Sequence, residues 1–163
     1  MESLIQKDQN KTTAVKNQLK VRPHPFRILL VDDDEDFLEA MTQQLKHDIH
    51  CLVVQATNPY EAMNALIESY FDLVIVDWEL QSMSGWSALQ KTDEVLKIDS
   101  QISPKWGRAK VPVILISADP MNEIRALAST HFQKVGFLSK IQGIQQISDG
   151  VRQLIEKKKF KAS

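Results

Sequence analysis

The chain has 163 residues, of which 43% are hydrophobic and 25% are charged, so it can form one domain with a sizeable core but not two domains of ordinary size. Its formal net charge of −1 provides no general attraction to nucleic acid or to a membrane surface, and no apolar stretch reaches the roughly 18 residues that a transmembrane helix needs. A single cysteine, Cys51, rules out an internal disulfide, and the polar N-terminus has no apolar signal region, so we expect a cytoplasmic protein.

The N-terminal segment, residues 1–25, is polar and rich in Gln, Asn, Lys and Thr. Its apolar side chains are too sparse to predict a helix, so we expect a flexible arm that ends at the Pro-His-Pro sequence of residues 23–25. One domain is predicted over residues 26–158, and a short basic tail follows at 159–163. Lysines at the end of a last helix are favoured by the helix dipole, so they do not require a nucleic-acid partner.

Strands and helices are predicted to alternate along this domain. Five apolar segments have the length and flanking residues of buried strands, namely 26–31, 51–55, 71–77, 111–116 and 135–138. A helix is predicted after each of them from apolar side chains at helical spacing. The helices are expected over about 34–47, from a cap at Asn58-Pro59, after Gly85, from a cap at Asp119-Pro120, and from about residue 144 to the lysine-rich end.

This alternation predicts an α/β fold of the (βα)5 type, with a doubly wound, five-stranded parallel sheet of strand order 2-1-3-4-5. In such sheets the strand order reverses beside strands one and three, and ligands bind at the carboxyl ends of the strands there. The polar connection at about 98–110 is longer than the roughly 2–6 residues common between a helix and the next strand. Because it runs from a helix to a strand, we expect it on the face opposite those carboxyl ends.

Acidic residues stand at the carboxyl ends of the two strands beside the predicted reversal. Asp32 and Asp33 follow strand one, and Asp77 ends strand three. Clustered carboxylates repel one another unless a cation or a proton offsets the repulsion, and Mg²⁺ prefers such oxygen ligands. Ser117 and Lys140 follow strands four and five, where a hydroxyl and an ammonium group can contact a phosphoryl group. We therefore interpret Asp77 as a nucleophile.

The same residues resemble those of a known family. From Arg27 through the last helix, the chain is similar to the receiver domains of two-component response regulators, in the motifs RILLVDDDEDF, FDLVIVDW, VILISA and GFLSK. The resemblance implies a flavodoxin-like fold. It also implies that Asp77 accepts a phosphoryl group from a histidine kinase or a histidine phosphotransfer protein. The implied Mg²⁺ ligands are Asp32, Asp33, Asp77 and the backbone carbonyl of Glu79.

The resemblance further implies a switch. Ser117 matches the position of the family's switch hydroxyl, and Lys140 matches its lysine. Phe137 matches the aromatic position whose ring turns inward when the hydroxyl moves onto the phosphoryl oxygen. The implied output is a changed surface around the predicted fourth helix, fifth strand and last helix.

We accordingly expect a stand-alone signalling phosphoacceptor that is not an enzyme in any sense beyond its own phosphorylation and dephosphorylation. The predicted domain leaves no room for a separate output domain, so the signal is expected to pass by contact to a downstream protein target. Neither a nucleic-acid nor a membrane partner is expected. A homodimer through the switching surface stays open.

Several positions depart from the usual family pattern. Gln81 stands where proline is usual and Ser84 where aspartate is frequent, and both lie in a loop, so we expect altered mobility rather than lost chemistry. Ile141 replaces a proline that usually follows a cis peptide bond. Because a non-proline cis bond costs about 2.5–4 kcal/mol, we predict that the Lys140–Ile141 bond is trans.

Two further acidic residues, Glu79 and Asp119, occupy positions that vary in the family and flank the site. Acidic side chains there disfavour the approach of an anion but can position water. We therefore expect them to influence how long an acyl phosphate survives.

Two other functions remain open. A haloacid-dehalogenase-type phosphatase also combines an aspartate nucleophile with Mg²⁺, and its motif could lie within residues 32–34, but Asp77 then has no role and a cap domain is lacking. A receiver-like scaffold that binds a partner without phosphorylation is favoured only by the departures from the family pattern. A calcium-binding loop fails, because Phe37 stands where glycine is required and Gln43 where the closing glutamate belongs.

Overall fold

A parallel sheet forms the centre of the fold. The computed structural model describes residues 24–98, 110–119 and 128–161 of the chain. Within these ranges the strands are β1 (Phe26–Val31), β2 (Cys51–Ala56), β3 (Leu73–Asp77), β4 (Val111–Ser117) and β5 (Phe132–Ser139). They lie in the order β2-β1-β3-β4-β5, and all neighbouring pairs are parallel. The predicted α/β class, parallel sheet and strand order are confirmed.

Helices connect the strands. In the described ranges these are α1 (Glu35–Asp48), α2 (Pro59–Glu68), α3 (Gly85–Ile98) and α4 (Ile144–Lys161), with a short 3-10 helix at Lys140–Gln142. The helix predicted from Asp119-Pro120 falls on residues 120–127, outside the described residues, as do residues 1–23 of the predicted arm, 99–109 of the long connection and 162–163 of the tail. None of the described helices combines the length and apolar character needed to cross a bilayer.

Helices α1 and α2 begin where the sequence signals place them. The Asp34 carboxylate accepts hydrogen bonds from backbone N–H groups in the first turn of α1, including that of Phe37 at 3.2 Å. Asn58 accepts one from the backbone N–H of Glu61 at 3.0 Å, and the Glu61 carboxylate accepts one from the backbone N–H of Thr57 at 2.7 Å. These bonds satisfy donors that a helix start leaves without partners, and so they fix both helix starts.

Apolar side chains cover both faces of the sheet. Every residue of β3 and β4 is buried, which explains their nearly continuous apolar sequences. One core cluster, which we call the α2–α3 cluster, includes Val74 and Trp86, and the opposite α1–α4 cluster includes Ile75 and Val151. Each large apolar side chain buried in this way stabilises the fold by about 1.5–3 kcal/mol.

Strand β5 is longer than predicted. It begins at Phe132 rather than at residue 135. The prediction began too late because polar Gln133 and Lys134 interrupt the apolar pattern. Such residues are tolerated there since β5 is an edge strand, with most side chains only half-buried. A register shift against β4 between Val113 and Ile114 also breaks the regular alternation of side chains.

Two glycines allow β5 and α4 to interlock. A Cβ atom at Gly136 of β5 would lie 2.3 Å from Leu154 Cδ1 of α4. In the reverse direction, a Cβ atom at Gly150 of α4 would lie 2.7 Å from Leu138 Cδ2 of β5. Each leucine therefore occupies space that the opposite glycine leaves free.

A buried carboxylate ties α3 to the start of β5. Asp93 is 4% exposed and accepts hydrogen bonds from the backbone N–H groups of Thr130 and His131, both at 2.9 Å, and from the His131 ring at 2.5 Å. The Lys97 ammonium lies 3.4 Å from the same carboxylate. Burial alone would raise the pKa of Asp93, but the hydrogen bonds outweigh it and lower the pKa to about 2.

We predict that Asp93→Asn lowers the free energy of unfolding by about 2 kcal/mol at pH 7, measured by urea denaturation. Because the pKa of Asp93 falls from 3.8 to about 2 on folding, its stabilisation is complete above pH 3.8 and is lost as the pH falls toward 2. The difference between the variant and the wild type should therefore shrink in acid. Glu94→Gln, an exposed neighbour, is the control. Equal stability of Asp93→Asn and the wild type at pH 7 would contradict the prediction.

Candidate functional site

The junction of β1 and α1 places one carboxylate inside the domain and the next outside. Asp32 is fully buried: its backbone N–H donates to the Ala56 carbonyl at 3.1 Å, and its Oδ1 accepts from the backbone N–H of Asp34 at 2.9 Å. Asp33, the next residue, is exposed. Asp34 serves both residues: its backbone N–H orients the Asp32 carboxylate, and its own carboxylate caps α1.

Asp77 ends the neighbouring strand, β3, and lies at the same edge of the sheet. Val31 pairs with Val76, so the residues that follow them, Asp32 and Asp77, are neighbours across the two strands. Asp77 is 5% exposed, and its Oδ1 accepts a hydrogen bond from the backbone N–H of Glu79 at 3.2 Å. The predicted meeting of these two carboxylates is therefore present.

A closed loop connects Asp77 to α3. The Trp78 carbonyl accepts a hydrogen bond from the backbone N–H of Gly85 at 2.8 Å, and Glu79 and Ser84 form an antiparallel bridge. A Cβ atom at Gly85 would lie 2.1 Å from the Asp77 carbonyl oxygen. Only glycine fits there, and its small size brings the start of α3 directly against the residue that carries the carboxylate.

Lys140 joins the two strand ends electrostatically. Its Nζ lies 2.9 Å from Asp77 Oδ2 and 2.7 Å from Asp32 Oδ2, and its side chain is 22% exposed. The same atom lies 4.6 Å from the centroid of the Phe37 ring. Burial alone would lower the pKa of Lys140, but its close contacts with the Asp32 and Asp77 carboxylates outweigh the burial and raise the pKa. The lysine therefore stays cationic.

The single positive charge of Lys140 does not balance the three carboxylates of the cluster. Burial raises the pKa of Asp32 to about 6, and the nearby charge of Asp77 adds to this rise, although Lys140 and the backbone N–H of Asp34 oppose it. Among the described residues, Asp32 Oδ2 accepts no well-directed hydrogen bond, and Lys140 approaches it as an ion pair.

The donor set fits a divalent cation. Carboxylate oxygens of Asp32, Asp33 and Asp77 all lie within 4.8 Å of one another. A buried carboxylate oxygen without a hydrogen bond, beside two further carboxylates, suits a hard ion that prefers oxygen ligands, as Mg²⁺ does. The role of the Glu79 backbone carbonyl as a further ligand stays a prediction.

Ser117 and Phe137 lie on the strands beyond Asp77. Ser117 is buried at the last position of β4, and its Oγ accepts a hydrogen bond from the backbone N–H of Asp119 at 3.0 Å. Phe137 is half-buried on β5 and packs against the α2–α3 cluster. The parallel register places the hydroxyl at the same edge as Asp77, while their predicted roles in switching stay predictions.

The peptide bond after the lysine has the predicted geometry. No cis peptide bond occurs in the described residues, so Lys140–Ile141 is trans. The Ser139 hydroxyl accepts a hydrogen bond from the backbone N–H of Ile141 at 3.3 Å, which holds the short 3-10 helix in place. Ile141 itself is 78% exposed.

The contact between Phe37 and Lys140 was not predicted. Helical periodicity places Phe37 on the apolar face of α1, and its ring does pack against the α1–α4 cluster. The same ring also faces the ammonium of Lys140, a residue that is distant from Phe37 in the sequence. Periodicity within one helix carries no information about such a distant partner.

Known proteins resemble this chain in sequence. The family profile described as the response regulator receiver domain matches residues 28–152. A putative two-component response regulator, ARR21 of Arabidopsis thaliana, is 28% identical over 117 residues, which cover 71% of this chain and 16% of that protein. The sensor histidine kinase GacS of Pseudomonas protegens is 33% identical over 102 residues, which cover 62% of this chain and 10% of that protein. The chain thus spans only a small part of either relative.

Solved structures share the fold. The receiver domain of the Francisella response regulator 1452 matches with a TM-score of 0.60 and 22% identity, covering 83% of this chain and 99% of that chain. A CheY-like response regulator receiver domain protein from Methanospirillum hungatei matches with a TM-score of 0.62 and 21% identity, covering 83% of this chain and 98% of that chain. At these identities the likeness concerns the fold.

We predict that Asp33→Asn weakens Mg²⁺ binding by about tenfold or more, because it removes one charged oxygen ligand from the cluster. Isothermal titration calorimetry with Mg²⁺ measures the affinity. Asp36→Asn is the matched control, since it removes the same charge from an exposed residue in the first turn of α1, outside the cluster. An equal loss of affinity in both variants would show that only the overall charge matters.

Proposed function

The chain belongs to the response regulator receiver domain family, and from this premise we propose that it accepts a phosphoryl group on Asp77 in a Mg²⁺-dependent reaction and thereby switches a protein-binding surface. The observation that carries the proposal is the position of Asp77 at the carboxyl edge of the sheet, within reach of the Lys140 ammonium and of two other carboxylates. A carboxylate in this setting can act as a nucleophile toward phosphorus.

We propose a histidine kinase or a histidine phosphotransfer protein as the donor. In support, one relative of this chain is named a sensor histidine kinase, and the region shared with it is 33% identical. We further propose that the chain is cytoplasmic and meets this donor there.

In the proposed transfer, an oxygen of the Asp77 carboxylate attacks phosphorus in line with the bond to the donor's imidazole nitrogen. The new O–P bond forms as the N–P bond breaks, and the electron pair of the broken bond leaves with the imidazole. Lys140 stabilises negative charge on the transferred oxygens. Asp32, Asp33 and Asp77 would hold Mg²⁺, together with the Glu79 carbonyl that the family resemblance implies, and the bound ion would supply further positive charge at the phosphoryl group.

The proposed switch starts from the acyl phosphate. The Ser117 hydroxyl donates a hydrogen bond to a phosphoryl oxygen, and the Phe137 ring moves inward behind it. The surface around β5 and α4 changes as a result, which alters affinity for a downstream protein target and is compatible with a homodimer. The chain acts as a phosphoacceptor that catalyses only its own phosphorylation and dephosphorylation.

Incubation with acetyl phosphate and Mg²⁺ is expected to add one phosphoryl group to the wild-type chain and none to Asp77→Asn, as measured by intact-mass spectrometry. Asp36→Asn, which removes an exposed carboxylate outside the cluster, should still be labelled. Steady consumption of the donor without labelling would indicate a small phosphatase instead. Neither labelling nor consumption would indicate an interaction scaffold, and either result would contradict the proposal.

The acidic residues that flank the site are expected to set the lifetime of the acyl phosphate. Glu79 and Asp119 are exposed, and their backbone N–H groups donate to Asp77 Oδ1 and Ser117 Oγ, respectively. We predict that Glu79→Gln combined with Asp119→Asn changes the decay rate by more than about tenfold, because the charge that meets an approaching water or hydroxide is removed.

The measurement is the loss of acid-labile phosphate after the donor has been removed. A second pair, Glu35→Gln with Asp36→Asn, removes the same charge from exposed residues at the start of α1 and serves as the control. Equal decay rates in the wild type and in the Glu79 and Asp119 variant would dispose of the idea.

A further inference from the structure

Within the described part of the chain, the Lys140 ammonium contacts neighbours of two different kinds. Asp77 and Asp32 contact it as carboxylates, at 2.9 and 2.7 Å. The third neighbour is the face of the Phe37 ring, whose centroid lies 4.6 Å from Nζ. A ring face carries negative electrostatic potential and attracts a cation at this distance without bearing a formal charge.

The Phe37 ring is held in place independently of the lysine. Its backbone N–H donates to Asp34 Oδ1 at 3.2 Å, in the cap that starts α1. Its side chain packs against the α1–α4 cluster. The ring is therefore a fixed platform on the helix that begins beside Asp32 and Asp33.

The two kinds of neighbour respond differently to the proposed reaction. Asp32 and Asp77 belong to the cluster that suits a divalent cation, so a bound cation competes with Lys140 for their charge. Transfer to Asp77 also converts one carboxylate oxygen into the bridging oxygen of an acyl phosphate, so Asp77 no longer presents a free carboxylate to the lysine. The Phe37 ring binds neither a hard cation nor a phosphoryl group, so its attraction for the ammonium is not used up by either event.

We propose that Phe37 is a positioning residue. It holds the Lys140 ammonium beside Asp77 while a divalent cation and the transferred phosphoryl group interact with the carboxylates of the cluster. This inference rests on the proposed function, because the lysine is useful there only if a phosphoryl group arrives at Asp77. The ring restricts the lysine to the pocket and supplies attraction that does not depend on the state of Asp32.

The placement of Lys140 is tested first without any reaction. In ¹H–¹³C NMR spectra, the ε-methylene protons of Lys140 should be shifted upfield by the Phe37 ring, with the resonance assigned by its loss in Lys140→Met. The shift should persist in the presence of Mg²⁺ and in Phe37→Tyr, which retains the ring face. It should disappear in Phe37→Leu, which keeps an apolar side chain for the core but has no ring.

The reaction is tested with the same variants. With acetyl phosphate at saturating Mg²⁺, Phe37→Leu should be phosphorylated about three- to tenfold more slowly than the wild type, which corresponds to roughly 0.7–1.4 kcal/mol and suits a partly exposed cation–π contact. Phe37→Tyr should restore the rate. The Mg²⁺ affinity of Phe37→Leu should stay within about twofold of the wild type, because no ligand oxygen is removed. Tyr60→Leu, which removes an exposed ring from α2, is the control and should retain the wild-type rate.

An unchanged rate in Phe37→Leu would overturn the inference, as would a Lys140 resonance that does not depend on the ring. A parallel loss of Mg²⁺ affinity would also overturn it, because the substitution would then have disturbed the carboxylate cluster itself. If the wild-type chain gains no phosphoryl group on Asp77, the proposed function fails. The NMR comparison still decides separately whether Phe37 fixes the position of the ammonium.

Discussion

The Lys140 ammonium contacts both Asp32 and Asp77, which the pairing of β1 with β3 places side by side at the edge of the sheet. Burial of either carboxylate without a cation would cost several kcal/mol, and their mutual repulsion would add to this cost. Lys140 offsets these costs only in part, since burial still raises the pKa of Asp32 to about 6, with a smaller contribution from the charge of Asp77. The remaining imbalance favours a divalent cation, so the stability of the metal-free fold and the chemistry proposed for the site depend on the same charges.

The strand order explains why a lysine occupies this position. Strand β4 separates β5 from β3, so the backbones of β5 and β3 lie about 10 Å apart and a residue that follows β5 approaches Asp77 only with a long side chain. A long, flexible side chain on a short 3-10 helix can make this approach, whereas a serine or an asparagine cannot. The closed loop after Asp77 complements it from the other side, because Gly85 brings α3 directly against the carbonyl of the acceptor residue.

The sequence was sufficient to predict the topology and the meeting of Asp32, Asp77 and Lys140, because alternating elements determine which strand ends become neighbours. It was not sufficient for interactions that depend on side-chain direction across the domain. The Phe37 ring beside Lys140 and the bonds from Asp93 to the start of β5 join elements distant in sequence, and no periodicity encodes them. The early start of β5 was not predicted for a different reason. Edge strands tolerate polar residues, so the first residues of β5 do not form an apolar segment.

The interlocked glycines of β5 and α4 have a mechanical consequence. Leu154 fills the space above Gly136, and Leu138 fills the space above Gly150, so the strand cannot slide along the helix without forcing one leucine out of its notch. Strand and helix therefore form one rigid lever, and Lys140 lies where the strand passes into that helix. We therefore expect a displacement at the lysine to move β5 and α4 together. In that case the far end of α4 would respond to events at the carboxylate cluster without touching it.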